Sequence, residues 1–292
     1  MIFKRILHIL RALSVFTACS DDINVNPPQL VVEGWIDAGG FPRVYLTTTL
    51  PITEDRQDFE EINNHILKWA KVTLSDGEKE IILNGRADNN QEPPFLYTTT
   101  DMRGETGKTY TLKVDYKQYH ATAVTTIPAV ARLKNLYVAT CDVPGKYTLK
   151  ATLDDPKDER NFYKLFVRTL PEETYYLSFY PSTFHDEMPE IQQPLTIAPG
   201  TKSEAEEYSP YFNARDVVLV KVANLEETGY LFWKDFEELI TSSRNPIFSI
   251  HKNIHSNING GMGYWCGYGA SEYLVNIADS LLQGRVRAEE HR

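Results

Sequence analysis

Cys19 is the residue whose surroundings specify a reaction most closely. It follows the small pair Thr17-Ala18 and an apolar stretch beginning at Ala12, and the chain before that carries Lys4, Arg5 and Arg11 with no acid. A basic start, a short apolar middle and small residues ahead of a cysteine form a lipoprotein signal. The expected chemistry is cleavage after Ala18 and attachment of a diacylglyceryl group to the Cys19 sulfur. The apolar stretch is too short to span a bilayer as a helix, so the acyl chains would make the membrane contact, each buried methylene contributing about 0.8 kcal/mol. The competing readings are an ordinary start to a cytoplasmic chain, with Cys19 a chance residue, and a leader cut elsewhere that leaves no lipid.

Other reactive residue types are present without the spacing that catalysis needs. His251 and His255 stand four apart, as zinc ligands do on a helix, but no Glu makes an HExxH site and the segment has little helical character. No metal is expected there. Gly260 to Gly269 is rich in glycine but lacks the GxGxxG order, so no phosphate cradle is expected. Interleaved glycines and aromatics suit a bulged strand with close backbone approach, and Tyr264, Trp265 and Tyr268 are the candidate ligand-binding rings. Acid pairs occur at Asp154-Asp155, Glu226-Glu227 and Glu237-Glu238, but adjacent residues of a strand point to opposite faces, so neighbouring acids do not by themselves make a glycosidase pair. The acidic run from Asp154 to Glu159 lacks the spaced order of a calcium loop. There is no GxSxG elbow. No cofactor and no enzymatic activity are expected. With Cys19 lipidated, Cys141 and Cys266 remain, either bridged in an oxidising compartment or separate as small apolar residues.

These residues must be positioned mainly by strands. Asp21 to Pro28 is a tether, and strand patterns begin at Leu30–Ile36 and Arg43–Thr49. Lys71–Leu74 and Glu80–Leu83 flank the turn residues Asp76-Gly77. Thr109–Tyr116 alternates strictly, with Tyr110, Leu112, Val114 and Tyr116 on one side, and Tyr119–Ile127 is its expected partner. Short strands over about 100 residues predict an immunoglobulin-like β-sandwich at 29–130. A second β-rich domain is expected at 131–283, with strands near Leu133–Ala139, Tyr147–Leu153, Asn161–Arg168, Thr174–Phe179, Asp216–Ala223 and Glu272–Ile277. Between them, Pro181 to Pro210 reads as a long, mobile surface loop. One α-helix is expected at about 229–241, where Tyr230, Trp233, Phe236, Leu239 and Ile240 recur at helical spacing, with Thr228 as N-cap. Residues 284–292 are expected to fray.

The charge balance narrows the partners. The chain of 292 residues has a formal charge of −10, which becomes −13 once the leader is removed with its three bases. Such a body is unsuited to nucleic acid, which needs clustered cations. No basic amphipathic helix is present to lie on anionic lipid.

In order along the chain, several short pieces resemble the domain of unknown function 4249 family, outer-membrane lipoproteins of the Bacteroidota. They are Leu30 to Ile36, Gly104 to Thr111, Asp155-Pro156 with Asn161-Phe162-Tyr163, and Asn257 to Gly263 with Gly267-Tyr268. The resemblance implies a β-rich lipoprotein of the cell surface or periplasmic leaflet, often encoded beside a TonB-dependent receptor, and carries over no catalytic residue. In that setting the short acidic run Ser20-Asp21-Asp22 resembles a signal for surface export. The function expected is a non-enzymatic accessory protein that sits on the outer membrane through its lipid anchor, contacts such a transporter and helps it take up an unknown small-molecule, glycan or peptide ligand. A structural or adhesive envelope protein is the alternative. A hydrolase built from residues on separate strands is the third.

Overall fold

A 15-residue strand decides the architecture. In the computed structural model, which describes residues 27–49, 64–88, 93–156, 159–171, 173, 176–200, 209–243, 253–283 and 289–291, Met262–Asn276 forms one continuous strand, β16. Its first half, Met262 to Tyr268, runs parallel to β1 (Leu30–Asp37), pairing Val31 with Met262 and Asp37 with Tyr268. Its second half, Gly269 to Asn276, runs antiparallel to β15 (Val217–Leu225). One strand therefore joins the early and late parts of the chain.

The protein is mainly β. The large sheet has nine strands in the order β12 (Thr183–His185), β11 (Phe162–Leu170), β15, β16, β1, β2 (Arg43–Thr48), β6 (Phe95–Thr98), β5 (Asn84–Ala87), with β17 (Glu289–His291) also paired to β16. A four-stranded sheet has the order β4 (Glu80–Ile82), β3 (Lys71–Ser75), β7 (Thr109–Tyr116), β8 (Tyr119–Thr126). A further four-stranded sheet joins β9 (Leu133–Thr140), β10 (Lys146–Leu153), β13 (Leu195–Ile197) and β14 (Phe212–Asn213). The helices are α1 (Glu227–Ser243) and α2 (Ile277–Gln283).

Side chains of a strand alternate between faces, and the large sheet uses this to bury both sides. On one face Leu30, Val32, Ile36, Val44, Leu46 and Trp265 meet Val72, Leu74, Tyr110, Leu112 and Val114 of the β3–β7 sheet. Further along that face, Tyr163, Leu165, Val167, Val218, Val220, Tyr273 and Val275 meet Leu149, Ala151, Leu195, Ile197 and Phe212 of the β9–β10 sheet. On the other face Phe162, Phe166, Leu225, Tyr264, Cys266 and Tyr268 pack under Tyr230 and Phe232 of α1. Gly34 of β1 is required by the first core: a Cβ there would stand 2.8 Å from the Trp265 ring.

Several expectations are corrected. The boundary drawn near residue 130 does not divide the large sheet, and the core of residues 29–130 is completed by Ile258 and Trp265 from far along the chain. A second helix follows β16, and Asn276 caps it, its Oδ1 accepting the Asp279 N–H at 3.2 Å. α1 begins at Glu227, so Thr228 lies in its first turn, and the Glu226 carbonyl accepts the Tyr230 N–H at 3.0 Å. The segment read as a loop from Pro181 holds β12, β13 and a 3-10 turn at Pro189–Gln192, and it buries Phe184, Ile191, Leu195 and Ile197. Its strands are only three residues each, too short for an alternation to mark them, yet Phe184, Leu195 and Ile197 fill the core. Of the expected strand at 174–179, residues 174 and 175 lie outside the described ones and Leu177 makes an isolated bridge with Val167. Glu289–His291, expected to fray, pair with β16.

Candidate functional site

The face of the large sheet that carries α1 is only partly covered by it. Beyond the helix a cavity of about 330 Å³ opens, within the usual range for small-ligand pockets of about 300–1,000 Å³. Strand periodicity delivers its lining. β1 contributes Glu33, Trp35 and Asp37, the residues between its core-facing Val32, Gly34 and Ile36. β2 contributes Arg43 and Tyr45; β11 Phe166 and Arg168; β15 Lys221; and β16 Tyr264, Tyr268 and Glu272. Trp233 of α1 and Tyr176, from the segment after β11, complete the wall.

The charges are of both signs and several are engaged. Lys221, only 5% exposed, donates to Asp37 Oδ1 at 2.5 Å, and its ammonium lies 5.1 Å from the Tyr268 ring centre and 5.8 Å from that of Tyr176. Arg168 stands over Tyr176 at 5.4 Å. Cations against ring faces are attracted by the ring quadrupole. Trp233 Nε1 donates to the Tyr268 hydroxyl at 2.9 Å. Glu33 is exposed to the cavity yet ringed by protein, and that loss of bulk water pushes its carboxyl pKa upward. It accepts no hydrogen bond and makes no ion pair among the described residues.

Two lining hydroxyls make no hydrogen bond among the described residues. They belong to Tyr45, which is 4% exposed, and to Tyr176. Arg43 lies near the first and Glu272 near the second without reaching hydrogen-bond geometry. Burial raises the pKa of both phenols, and of Tyr264 and Tyr268, so all four stay neutral and able to donate. A buried polar group without a partner costs about 1–3 kcal/mol, a cost that a ligand atom can remove.

α1 is fixed over this face by a buried ion pair. Lys164, 0% exposed, donates to Glu237 Oε1 and to Ser182 Oγ, each at 2.5 Å. Ser182 Oγ donates to the same carboxylate at 2.6 Å and Thr183 Oγ1 donates to it as well. Burial pulls the Lys164 pKa down while Glu237 pulls it back. At the start of the helix the Glu226 carboxylate accepts from Thr125 Oγ1 at 2.9 Å and from the Thr126 N–H at 2.8 Å, tying α1 to β8.

Of the three rings picked out by sequence, Tyr264 and Tyr268 line the cavity and Trp265 does not. Trp265 projects to the opposite face, 0% exposed, where its Nε1 donates to the Tyr110 carbonyl at 3.2 Å. The glycines around them do admit close backbone approach: a Cβ at Gly269 would stand 2.4 Å from the carbonyl oxygens of Pro128 and Ala129. The bridge between Cys141 and Cys266 is not formed. Cys141, just past the end of β9, donates to the Lys146 carbonyl at 3.3 Å, whereas Cys266 is buried beneath α1, its thiol pushed up to about 12 by burial. His255 donates its backbone N–H to Asp235 Oδ2 at 2.9 Å and its ring also meets that carboxylate; His251 lies outside the described residues. Cys19, Ser20, Asp21 and Asp22 lie outside them too. Of the acid pairs, Asp154 is bound to Lys134 at 2.5 Å, and Asp155 accepts from the Tyr163 hydroxyl at 2.6 Å.

Most of the lining escaped sequence reasoning. Its one local signal is a cation within an apolar run, such as Lys221 in Val217–Leu225 or Arg168 in Phe162–Leu170. A strand that spends a lysine or arginine on an otherwise buried face needs an acid or a cavity beside it.

A family model described as a domain of unknown function, DUF4249, matches residues 17–273. A search of curated proteins found no match to the chain.

Proposed function

Because the chain belongs to the DUF4249 family, whose activity is undefined, we propose that it is a non-enzymatic binding protein that captures a small ligand in the large-sheet cavity. It is anchored to the outer membrane through a lipid on Cys19, with Ser20-Asp21-Asp22 directing it to the cell surface. It passes its ligand to a TonB-dependent transporter. The observation that carries the binding role is the buried Tyr45 hydroxyl, without a hydrogen bond among the described residues and lining a cavity with charges of both signs. Rings with a few convergent polar groups are the usual composition of a ligand site. The anchor and the transporter rest on the leader pattern and on the family resemblance.

The test is a thermal-shift screen of the detergent-solubilised full chain against sugars, peptides, amino acids and amines. A bound ligand at a hundred times its Kd stabilises by about 2.7 kcal/mol. A ligand whose shift disappears in Lys221→Met, a variant that keeps its fold by circular dichroism, supports the cavity as the site. No shift from any class refutes capture. For the anchor, Cys19→Ala should leave the protein unprocessed or free of membranes, and unchanged membrane partition refutes lipidation. Pull-down from solubilised outer membranes should recover a large barrel protein; repeated recovery of none refutes the transporter partnership.

A further inference from the structure

The cavity is chemically uneven, and its two ends differ in what they leave unsatisfied. Around Lys221 the charges answer one another: its ammonium holds Asp37 at 2.5 Å and two tyrosine rings flank it. Around Glu33 no such pair forms among the described residues: Arg43, the cation of that end, lies by the Tyr45 hydroxyl and makes no ion pair with Glu33. Strand register sets Glu33 directly across from Tyr45 on β2 and Tyr264 on β16, with Trp35 two residues along its own strand on the same face. The Trp35 and Tyr45 rings stack with centroids 5.8 Å apart. A carboxylate without an ion pair among the described residues thus stands between three electron-rich rings, beside a phenol oxygen that has no partner.

Each candidate ligand class can be weighed against that end. An anion would meet the Glu33 charge in a confined space, where like charges repel strongly. A neutral polyol would satisfy the hydroxyl but leave the carboxylate's charge uncompensated. A cation would answer the carboxylate, gain from the ring faces, and, if it carries N–H groups, supply a donor to the free phenol oxygen.

Resting on the cavity being the ligand site, we propose that its ligand is an organic ammonium whose N–H groups bond to Glu33 and the Tyr45 hydroxyl within the Trp35, Tyr45 and Tyr264 rings. The Lys221–Asp37 end then accommodates the remainder of the molecule.

The experiment is isothermal titration of the detergent-solubilised full chain with 2-phenylethylammonium chloride, its N,N,N-trimethyl derivative, 2-phenylethanol, phenylacetate and a neutral oligosaccharide. The primary ammonium should bind most tightly, the trimethyl derivative more weakly because it donates no hydrogen bond, and the alcohol and the acid weakest. Glu33→Gln should weaken the primary ammonium at least about tenfold, in line with loss of a hydrogen bond to a charged group. Tyr45→Phe, a variant that leaves the ring in place and guards against a folding failure in the first, should weaken it roughly tenfold while sparing the trimethyl derivative. The ammonium assignment is overturned if Glu33→Gln binds as the parent does, if phenylacetate or the alcohol binds as tightly as the amine, or if no ammonium binds up to about 10 mM. Phenylacetate or oligosaccharide binding that Lys221→Met abolishes would overturn the ammonium class while upholding the cavity. Ammonium binding that Glu33→Gln and Tyr45→Phe both leave intact would overturn the placement of the amine within it.

Discussion

Replacing Glu237 with Gln should cost this protein much of its stability, because it strands Lys164. The ammonium is wholly buried and its charge is met by one carboxylate, which also accepts from Ser182 and Thr183. Gln keeps the shape and one acceptor oxygen but removes the charge. Breaking a buried pair from one side costs about 3–5 kcal/mol, and at about 2–4 °C per kcal/mol for a chain of this size the melting temperature should fall by roughly 10 °C. Equilibrium urea unfolding followed by circular dichroism measures the loss directly. The pH dependence provides an independent check. In the variant, burial alone acts on Lys164, so its folded pKa falls further below the unfolded value near 10.5. Between those two values the unfolded chain binds more protons, so stability rises with pH there. The deficit of Glu237→Gln should therefore shrink as pH is raised from 7 toward 10. Lys164→Met with Glu237→Leu, which removes both charges, should recover most of the loss. A cost below about 1 kcal/mol for Glu237→Gln, or a deficit that grows with pH, would refute the claim that this pair clamps α1 to the sheet.

Other outcomes follow from single environments. Trp265→Ala should destabilise by about 3–5 kcal/mol through the cavity left in the core, whereas Tyr264→Phe should leave urea stability within about 1 kcal/mol; comparable losses would contradict their placement on opposite faces. With its thiol near pKa 12 and buried under α1, Cys266 should resist alkylation at pH 8 in the native chain and react only once denaturant is added, as read by mass spectrometry. Asp76 should titrate near pH 2 by carboxyl NMR, because the Lys79 N–H and the Lys108 ammonium hold its charged form. Its contribution to the β3–β4 hairpin is complete above the ordinary carboxylate range and is lost as pH falls through about 2; a midpoint near 4 would show that these bonds do not persist in solution.

Much of the strand content was legible locally. Thr109–Tyr116 alternates so strictly that its bounds coincide with β7, and Asp76-Gly77 marks the β3–β4 hairpin, with Gly77 at φ 88°. α1 stands where the aromatic spacing places a helix, although Tyr230 alone of that stripe is fully buried and Phe232, Asp235 and Glu237 fill the rest of its buried side. In each case the deciding forces act between residues a few positions apart. Where they did not, sequence reasoning missed. β5 and β6 were unread because each is only four residues long and shows no alternation of apolar and polar residues, and they become strands by joining the edge beyond β2. β12 and β13 likewise become strands only because β11 and β10 offer them an edge.

The amino-acid order alone determined the β class, the alternation within each long strand, the aromatic helix and the acidic charge of the body. It could not determine the cavity. Alternation assigns Glu33, Lys221 and Tyr268 each to a face of its own strand, but not which strands become neighbours. That was decided by the parallel pairing of β1 with β16, whose partners stand more than two hundred positions apart. No local preference encodes such a contact; it forms because one long strand buries its odd-numbered residues in two cores and leaves its even-numbered tyrosines to α1 and the cavity.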